Sequence, residues 1–149
     1  MEFTKMHGAG NDFIIINNIE EKIPVEKLSE LAEKLCHRRL AIGADGFMVV
    51  DTPEFGGDYK MRFYNADGSL GEMCGNGARC IARYGHEKGL AGDVQNIETI
   101  AGLVVGYKVT EDMYRKKEGR RDVLVWNEDY PGIFSLRLWG HQIARGDTI

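Results

Sequence analysis

The sequence predicts an α+β fold, in which strands and helices share one domain without alternating as regular strand–helix–strand units. A β-branched, apolar run over residues 12–18 is typical of a buried strand. Four apolar side chains between Leu28 and Leu35 recur at positions i, i+3, i+4 and i+7, which is one face of a helix. From Tyr59 to Phe63, apolar and charged residues alternate, as in a strand with one buried face.

The other elements follow from turn residues and spacing. The first helix opens after Pro24, and a second runs from Gly75 to about Tyr84, where apolar residues again recur at helical spacing. Residues 66–69, Ala-Asp-Gly-Ser, have turn chemistry. Further short strands are predicted at residues 47–51, 97–100 and 103–109.

Composition limits the class of protein. The 149 residues, 43% hydrophobic and 28% charged, suffice for one compact domain rather than two. A formal net charge of -4 argues against a nucleic-acid partner, and no run approaches the roughly 18 apolar residues of a membrane helix. Three cysteines without paired spacing favour a reducing, cytoplasmic setting, and the N-terminus is unlike a signal peptide.

The chain divides into two regions of different character. Residues 1–110 carry the readable elements and are the expected domain. Residues 111–149 hold a dense charged stretch up to Asp122 and both tryptophans, Trp126 and Trp139. The pattern of this tail predicts no definite structure.

The strongest chemical signal is Cys74, which directly precedes Gly-Asn-Gly and an apolar helix. At a helix N-terminus, free N–H groups and the helix dipole stabilise a thiolate, and the same groups can hold a substrate carboxylate. The alternative is a buried small hydrophobe, which is what most free cysteines are. We favour that alternative for Cys80 and Cys36, and the catalytic interpretation for Cys74.

Two further clusters surround short loops. In residues 7–13, His-Gly-Ala-Gly-Asn-Asp-Phe, the glycines predict a loop that enters the first strong strand. Asn11 offers both a donor and an acceptor to an amino-acid ligand, whereas His7 is better explained as a hydrogen-bonded structural group. Residues 42–47 predict a second loop before a strand, with Asp45 as a turn residue.

Several familiar active sites cannot be assembled from this sequence. It contains no Ser-His-Asp order, no phosphate-binding loop and no metal-ligating cluster, and residues 8–12 lack the strand-before, helix-after context of a dinucleotide site. From the residues alone we therefore expect an enzyme with a thiolate at a helix end and neither cofactor nor metal.

At these clusters the sequence resembles the N-terminal half of the diaminopimelate epimerase family. The matching segments are residues 7–13, 43–46, 65–69 and 73–80. The resemblance implies a cofactor-independent enzyme that interconverts LL- and meso-diaminopimelate for lysine and peptidoglycan synthesis. It also implies one of two similar α+β domains, each a curled, mostly antiparallel sheet around a central helix, with the active site in the cleft between them.

The resemblance also assigns roles to residues of this chain. It implies that Cys74 moves the α-proton on one face of the substrate, that Asn11 and Asn65 bind the substrate, and that the Gly75 and Asn76 amides hold its α-carboxylate. A proline-racemase relative is the nearest alternative, but such proteins usually carry His where this chain has Asn76. Some family members have Gln where this chain has Gly46, so that side-chain contact is not expected here.

Other features depart from the family pattern. Family members are about twice this length, and their second catalytic cysteine lies in a Gly-Cys-Gly type motif that this chain lacks. Beyond about Gly119 the resemblance ends, so a truncation, a chimera and a frameshifted end are all open. A catalytically silent binding fragment is therefore the alternative to a working half-site. The face that would pack against a second half predicts an exposed apolar surface, with a homodimer as the expected partner arrangement.

Overall fold

The structure, a computed structural model, describes residues 1–72, 75–110, 113–118, 121–125 and 141–142. The described helices are α1 (Asn18–Glu21), α2 (Val25–Leu35) and α3 (Gly75–Glu87). The described strands are β1 (Thr4–Gly8), β2 (Asn11–Asn17), β3 (Gly46–Asp51), β4 (Tyr59–Asn65), β5 (Val94–Thr99), β6 (Gly102–Thr110), β7 (Met113–Glu118), β8 (Arg121–Val125) and β9 (His141–Gln142).

These strands form one mixed sheet in the order β8-β7-β6-β5-β4-β3-β2-β1-β9. Six of the eight neighbouring pairs are antiparallel, and two pairs, β2–β3 and β4–β5, are parallel. The α+β class and the mostly antiparallel sheet are thus confirmed. Strands β7 and β8 lie beyond residue 110, whereas Trp126 and Trp139 fall outside the described residues.

The sheet curls around α3. This helix contacts both β1 and β6, which stand five strand positions apart in the sheet. In a flat sheet that separation would be about 24 Å, roughly twice the diameter of a helix with its side chains. The two ends of the sheet therefore bend toward each other around the helix, which confirms the predicted central helix.

The central strands β2 and β3 are buried on both faces, and this explains their continuous apolar runs. Phe13 and Ile15 of β2 face the core that contains α3, whereas Ile14 and Ile16 face the core formed with α2. Residues 47–50 of β3 divide between the same two cores. A strand with two buried faces needs apolar residues at consecutive positions rather than at alternate ones.

The first strand, β1, was not predicted, and the loop expected at residues 7–13 is much shorter than the sequence suggested. Gly8 pairs with Asn11, so only Ala9 and Gly10 connect β1 to β2. Both have positive φ, +54° and +84°, which is the backbone of a two-residue type I′ hairpin turn. The glycine suits this conformation because it has no Cβ to clash.

The predicted helices and the other strands are confirmed with small shifts of their ends. Helix α2 begins directly after Pro24, as expected, and α3 extends to Glu87, one turn beyond its predicted end. Strand β5 begins at Val94, earlier than residue 97. Among the described residues, no helix has the length and apolar character needed to cross a membrane.

Candidate functional site

Three strand ends meet at one edge of the sheet. Asn11 begins β2, Gly46 begins β3 and Asn65 ends β4. Because β2 and β3 are parallel and β4 is antiparallel to β3, these ends lie side by side: Phe13 pairs with Gly46, and Gly46 with Asn65. Two predicted substrate-binding residues, Asn11 and Asn65, therefore share this edge, which we call the site edge.

Helix α3 begins against the site edge. It opens at Gly75, and the next residue, Asn76, places its side-chain Nδ2 3.5 Å from Oδ1 of Asn11. Backbone N–H groups in the first turn of a helix have no partner within that helix, so they are suited to bind an anion. The structure thus brings Asn11, Asn76 and Gly75 to one place. Met73 and Cys74 lie outside the described residues.

The amides of Asn11 and Asn76 belong to a directed chain of hydrogen bonds. Arg79, one turn along α3, donates a short hydrogen bond to Oδ1 of Asn76. Asn76 donates to Asn11 across the 3.5 Å gap, a long hydrogen bond, and Nδ2 of Asn11 donates to Oδ2 of Asp45 at 2.7 Å. The chain runs from a cation that only donates to a carboxylate that only accepts.

A cluster of ion pairs holds Asp45 in place. Arg38 donates to Oδ1 of Asp45 at 3.0 Å and makes a bidentate pair with Asp12 at 2.7 and 3.1 Å. The nearly buried ammonium of Lys5 lies 3.2 Å from the Asp12 carboxylate. Burial raises the pKa of Asp12, but hydrogen bonds from Arg38 and Lys5 outweigh burial and leave the pKa below its usual value.

Backbone hydrogen bonds also join the start of β2 to Asp45, which precedes β3. The Asp45 N–H donates to Oδ1 of Asp12 at 2.9 Å, and the Asp12 N–H donates to Oδ2 of Asp45 at 3.2 Å. Each carboxylate therefore binds the main chain of the other residue. These reciprocal bonds fix the start of β2 against the residue that precedes β3.

Asn65 is fixed by the turn that follows it. Its backbone N–H donates to the Ser69 carbonyl at 2.8 Å, and its Nδ2 donates to the Ser69 hydroxyl at 3.0 Å. That hydroxyl and the Ser69 backbone N–H donate to Oδ1 of Asp67 at 2.6 and 2.9 Å, and these two hydrogen bonds lower the pKa of Asp67. Gly68 has a φ of +86°, and its carbonyl accepts from Ser29 of α2 at 2.6 Å. The predicted turn at residues 66–69 is confirmed, and α2 anchors it.

Gly46 sits where a side chain would collide with an aromatic ring. A Cβ at this position would lie 2.4 Å from Cε2 of Phe63. The same ring would be 2.7 Å from a Cβ at Gly71, so the ring fits between two glycines. A side chain at position 46 would therefore have to displace Phe63, which fills the space beside the backbone.

His7 makes a hydrogen bond of the kind expected of a structural group. Its Nδ1 accepts a hydrogen bond from the Gly10 N–H at 3.1 Å, within the hairpin turn. Burial lowers its pKa to about 4, and the nearby Asp12 carboxylate opposes this only in part. The imidazole is therefore neutral near pH 7, with its proton on Nε2 because Nδ1 is an acceptor.

The other two cysteines are confirmed as core residues. Cys80 is fully buried on α3, and Cys36 is 3% exposed after α2. Burial raises the pKa of the Cys36 thiol to about 11, so it is not a thiolate near pH 7. Among the described residues, no group of three or more His, Cys, Asp and Glu side chains could hold a metal ion.

A group of exposed apolar side chains lies beside the site edge. Phe55, Leu70 and Ile100 are all largely exposed. Together with Phe63 and Gly71 they help to line a cavity of about 300 Å³. Gly71 pairs its N–H with the Phe63 carbonyl, so this surface is continuous with the end of β4.

The hydrogen-bond partners of the two asparagines are not predicted by the sequence. Asp45, in Gly-Ala-Asp-Gly before a strand, is predicted as a turn residue, but it accepts from Asn11. Arg38, which donates to Asp45, follows α2 in a charged segment and shows no pattern that predicts this contact. Arg79 lies one turn after Asn76, and this i, i+3 spacing on a predicted helix could have indicated the contact.

Solved structures share this fold at low sequence identity. A phenazine biosynthesis protein of the PhzF family from Bacillus anthracis superposes with a TM-score of 0.58 at 20% identity, covering 78% of this chain and 40% of that one. A probable proline racemase from Agrobacterium radiobacter K84, solved with bound carbonate, gives 0.54 at 13% identity, with coverages of 83% and 47%. These likenesses define the fold class of the domain.

The sequence comparisons are more specific. The family model for diaminopimelate epimerase matches residues 3–119, so the chain belongs to the diaminopimelate epimerase family. The diaminopimelate epimerase of Moorella thermoacetica is 51% identical over 105 residues, 70% of this chain and 37% of that protein. That of Carboxydothermus hydrogenoformans is 47% identical over 149 aligned positions, 95% of this chain and 54% of that protein. The chain thus spans roughly a third to a half of the length of these relatives.

Proposed function

We propose that this chain supplies one half of an active site that interconverts LL- and meso-diaminopimelate by cysteine acid–base chemistry, without a cofactor. The observation that carries the proposal is the meeting of Asn11 with Asn76 where α3 begins, at the site edge. The family match and relatives named as diaminopimelate epimerases support the same substrate. Such a reaction belongs to lysine and peptidoglycan synthesis, and we expect it in the cytoplasm.

In this proposal Cys74 moves the α-proton on one face of the substrate. It directly precedes the first residue of α3 in sequence. A helix N-terminus favours a thiolate, so the pKa of such a cysteine falls toward neutral pH, where it can act as a base. The α-proton of an amino acid is very weakly acidic, and stabilising the charge that develops as it leaves is the main task of the site.

The polar groups of the site edge would hold the substrate. The Gly75 and Asn76 backbone N–H groups lie in the first turn of α3, where a carboxylate is favoured by hydrogen bonding and by the helix dipole. The side chains of Asn11 and Asn65 each offer a donor and an acceptor, which suits the carboxylate and ammonium groups of an amino acid. Fixing both groups would direct the α-hydrogen toward Cys74.

A second candidate is a binding fragment that holds diaminopimelate without turning it over. One observation favours it: both described cysteines, Cys36 and Cys80, are buried in the core, so neither serves as a second acid. Inversion needs a base on one face of the α-carbon and an acid on the other. A proline-racemase activity is less favoured, because Asn76 stands where those enzymes usually carry His.

The deciding experiment is α-proton exchange of LL- and meso-diaminopimelate in heavy water, followed by NMR with the purified chain. We expect exchange without inversion, lost in Cys74→Ala and retained in the matched control Cys36→Ala. Full inversion would reveal a second acid within this chain. Binding without exchange, measured by calorimetric titration, would favour the binding fragment, and no binding of either isomer would contradict both candidates.

A further inference from the structure

We propose that Asp45 is a positioning residue, whose carboxylate sets the direction in which the Asn11 amide faces the ligand. The inference rests on the proposed function, in which Asn11 binds the substrate, and it adds a residue to which sequence analysis gave only a turn role. Its basis is the 2.7 Å hydrogen bond from Nδ2 of Asn11 to Oδ2 of Asp45.

The charges at the two ends of the hydrogen-bond chain leave one orientation for each amide. A carboxylate only accepts, so Asp45 requires the nitrogen of Asn11 to face it. The oxygen of Asn11 then faces Nδ2 of Asn76, and the oxygen of Asn76 faces the guanidinium of Arg79, which only donates. If Asn11 were flipped, its oxygen would face the Asp45 carboxylate and its NH₂ would face the NH₂ of Asn76. Both contacts would then be repulsive.

This orientation has a consequence for recognition. An asparagine amide can bind a carboxylate through its N–H groups or an ammonium through its oxygen, and the two faces differ only by a rotation of the side-chain amide. A free amide would divide its population between both states. A carboxylate that fixes the rotation keeps Asn11 in one state before the ligand arrives, and such preorganisation lowers the cost of binding.

Asp45 is itself held firmly but contributes modestly to stability. Its backbone N–H donates to Oδ1 of Asp12 at 2.9 Å, and its Oδ2 accepts from the Asp12 N–H at 3.2 Å. These two hydrogen bonds give Asp45 a defined position without Arg38, which donates to Oδ1 at 3.0 Å. Its side chain is 46% exposed and that of Arg38 is 55% exposed. Exposed pairs of this kind stabilise a fold only weakly, so a variant at Asp45 should still fold.

The test compares Asp45→Asn with the control Arg38→Gln in the intact chain. Asp45→Asn keeps the shape of the side chain but removes its charge. The new carboxamide can meet Asn11 with either its oxygen or its nitrogen, so it no longer fixes the orientation of the Asn11 amide. Arg38→Gln breaks ion pairs to both Asp45 and Asp12 while leaving the carboxylate that faces Asn11. If Asp45 acts only through the stability of this cluster, Arg38→Gln will be at least as damaging.

Two measurements are made on each variant, together with thermal unfolding. The first is the affinity for meso-diaminopimelate by calorimetry. The second uses no ligand: it is the NMR scalar coupling across the hydrogen bond between the Asn11 side-chain nitrogen and the Asp45 carboxyl carbon. We expect Asp45→Asn to reduce this coupling, because the carboxamide meets Asn11 in two orientations, and to weaken binding about tenfold, equal to about 1.4 kcal/mol. We expect Arg38→Gln to keep the coupling and stay within about threefold of the parent affinity, a change of under about 0.7 kcal/mol.

Different outcomes separate the two proposals. Equal affinity of the parent chain and Asp45→Asn would overturn the positioning role while leaving the proposed function intact. Loss of affinity in proportion to loss of thermal stability in both variants would show that Asp45 acts only through the fold. No binding by the parent chain would refute the proposed function and with it the role toward this substrate, and the coupling would still show whether Asp45 orients Asn11.

Discussion

Replacing Gly46 by alanine tests how tightly the site edge is packed. The new Cβ would lie 2.4 Å from Cε2 and 2.8 Å from Cζ of Phe63. Carbon atoms in contact prefer about 3.5–4.0 Å, so the ring must move by roughly 1 Å or more. That movement would disturb the edge-to-face packing of Phe63 on Phe13, whose ring centroids are 5.9 Å apart at 72°.

The expected magnitude follows from two opposing effects. Overpacking a well-filled site costs about 1–3 kcal/mol. Removing a glycine from a strand recovers about 0.5–1 kcal/mol, because the unfolded chain has less freedom to lose. We therefore expect Gly46→Ala to lower the free energy of unfolding by about 1–2 kcal/mol, measured by urea denaturation.

A double-mutant cycle identifies the cause. Phe63→Leu shortens the side chain and removes the colliding ring atoms, so the two changes together should cost at least about 1 kcal/mol less than the sum of their separate costs. Phe63→Leu alone should cost about 1 kcal/mol, as is common for point substitutions. If Gly46→Ala is as stable as the parent, or if the two costs simply add, the close approach of the ring is not what requires glycine at this position.

Three further predictions concern the rest of the domain. The pKa of His7 is about 4 in the folded chain against 6.5 when unfolded, so between these pH values the unfolded chain binds a proton that the folded chain does not. The free energy of unfolding should therefore fall by on the order of 2 kcal/mol as the pH drops from 6.5 to 4. In His7→Asn, which keeps an acceptor for the hairpin turn, the free energy of unfolding measured with urea should depend less on pH in that range. A thiol reagent at pH 8 should label Cys74 fast and leave the buried Cys36 and Cys80 unlabelled in the folded chain, so Cys74→Ala should show no fast labelling. Fast labelling of Cys74→Ala would contradict the burial of Cys36 and Cys80. Light scattering should show self-association that weakens in Phe55→Ser, and an unchanged mass would mean that the apolar surface is not the contact.

Much of the fold was predictable because its apolar patterns were strong. The stripe from Leu28 to Leu35 predicted α2, and the alternation from Tyr59 to Phe63 predicted β4. Strand β1 was missed because Thr4, Lys5 and His7 are polar, yet all three are buried. The burial of Lys5 is compensated by an ion pair with Asp12 of the neighbouring strand, and this partner cannot be inferred from spacing along the chain.

The predicted site residues Asn11 and Asn76 do meet in the structure, but the residues hydrogen-bonded to them were not predicted. Asn11 and Asn76 are 65 positions apart, and motif resemblance alone placed them in one site before the structure showed their contact. The hydrogen bonds from Asn11 and Arg38 to Asp45 join the start of β2 to the residues before β3, so they depend on the parallel pairing of these two strands. The residues of each strand alone do not show which other strand it pairs with.

The enclosure of α3 by the curled sheet gives the domain a useful experimental property. Its first turn lies at the site edge, while Ala78, Ile81 and Ala82 of the same helix are buried in the core. A ligand held at that first turn is therefore bound by the folded domain and not by the unfolded chain. By linkage, a concentration one hundred times the dissociation constant should add about 2.7 kcal/mol to the free energy of unfolding. The melting temperature then becomes a direct gauge of occupancy, which allows small amino-acid ligands to be ranked without any turnover.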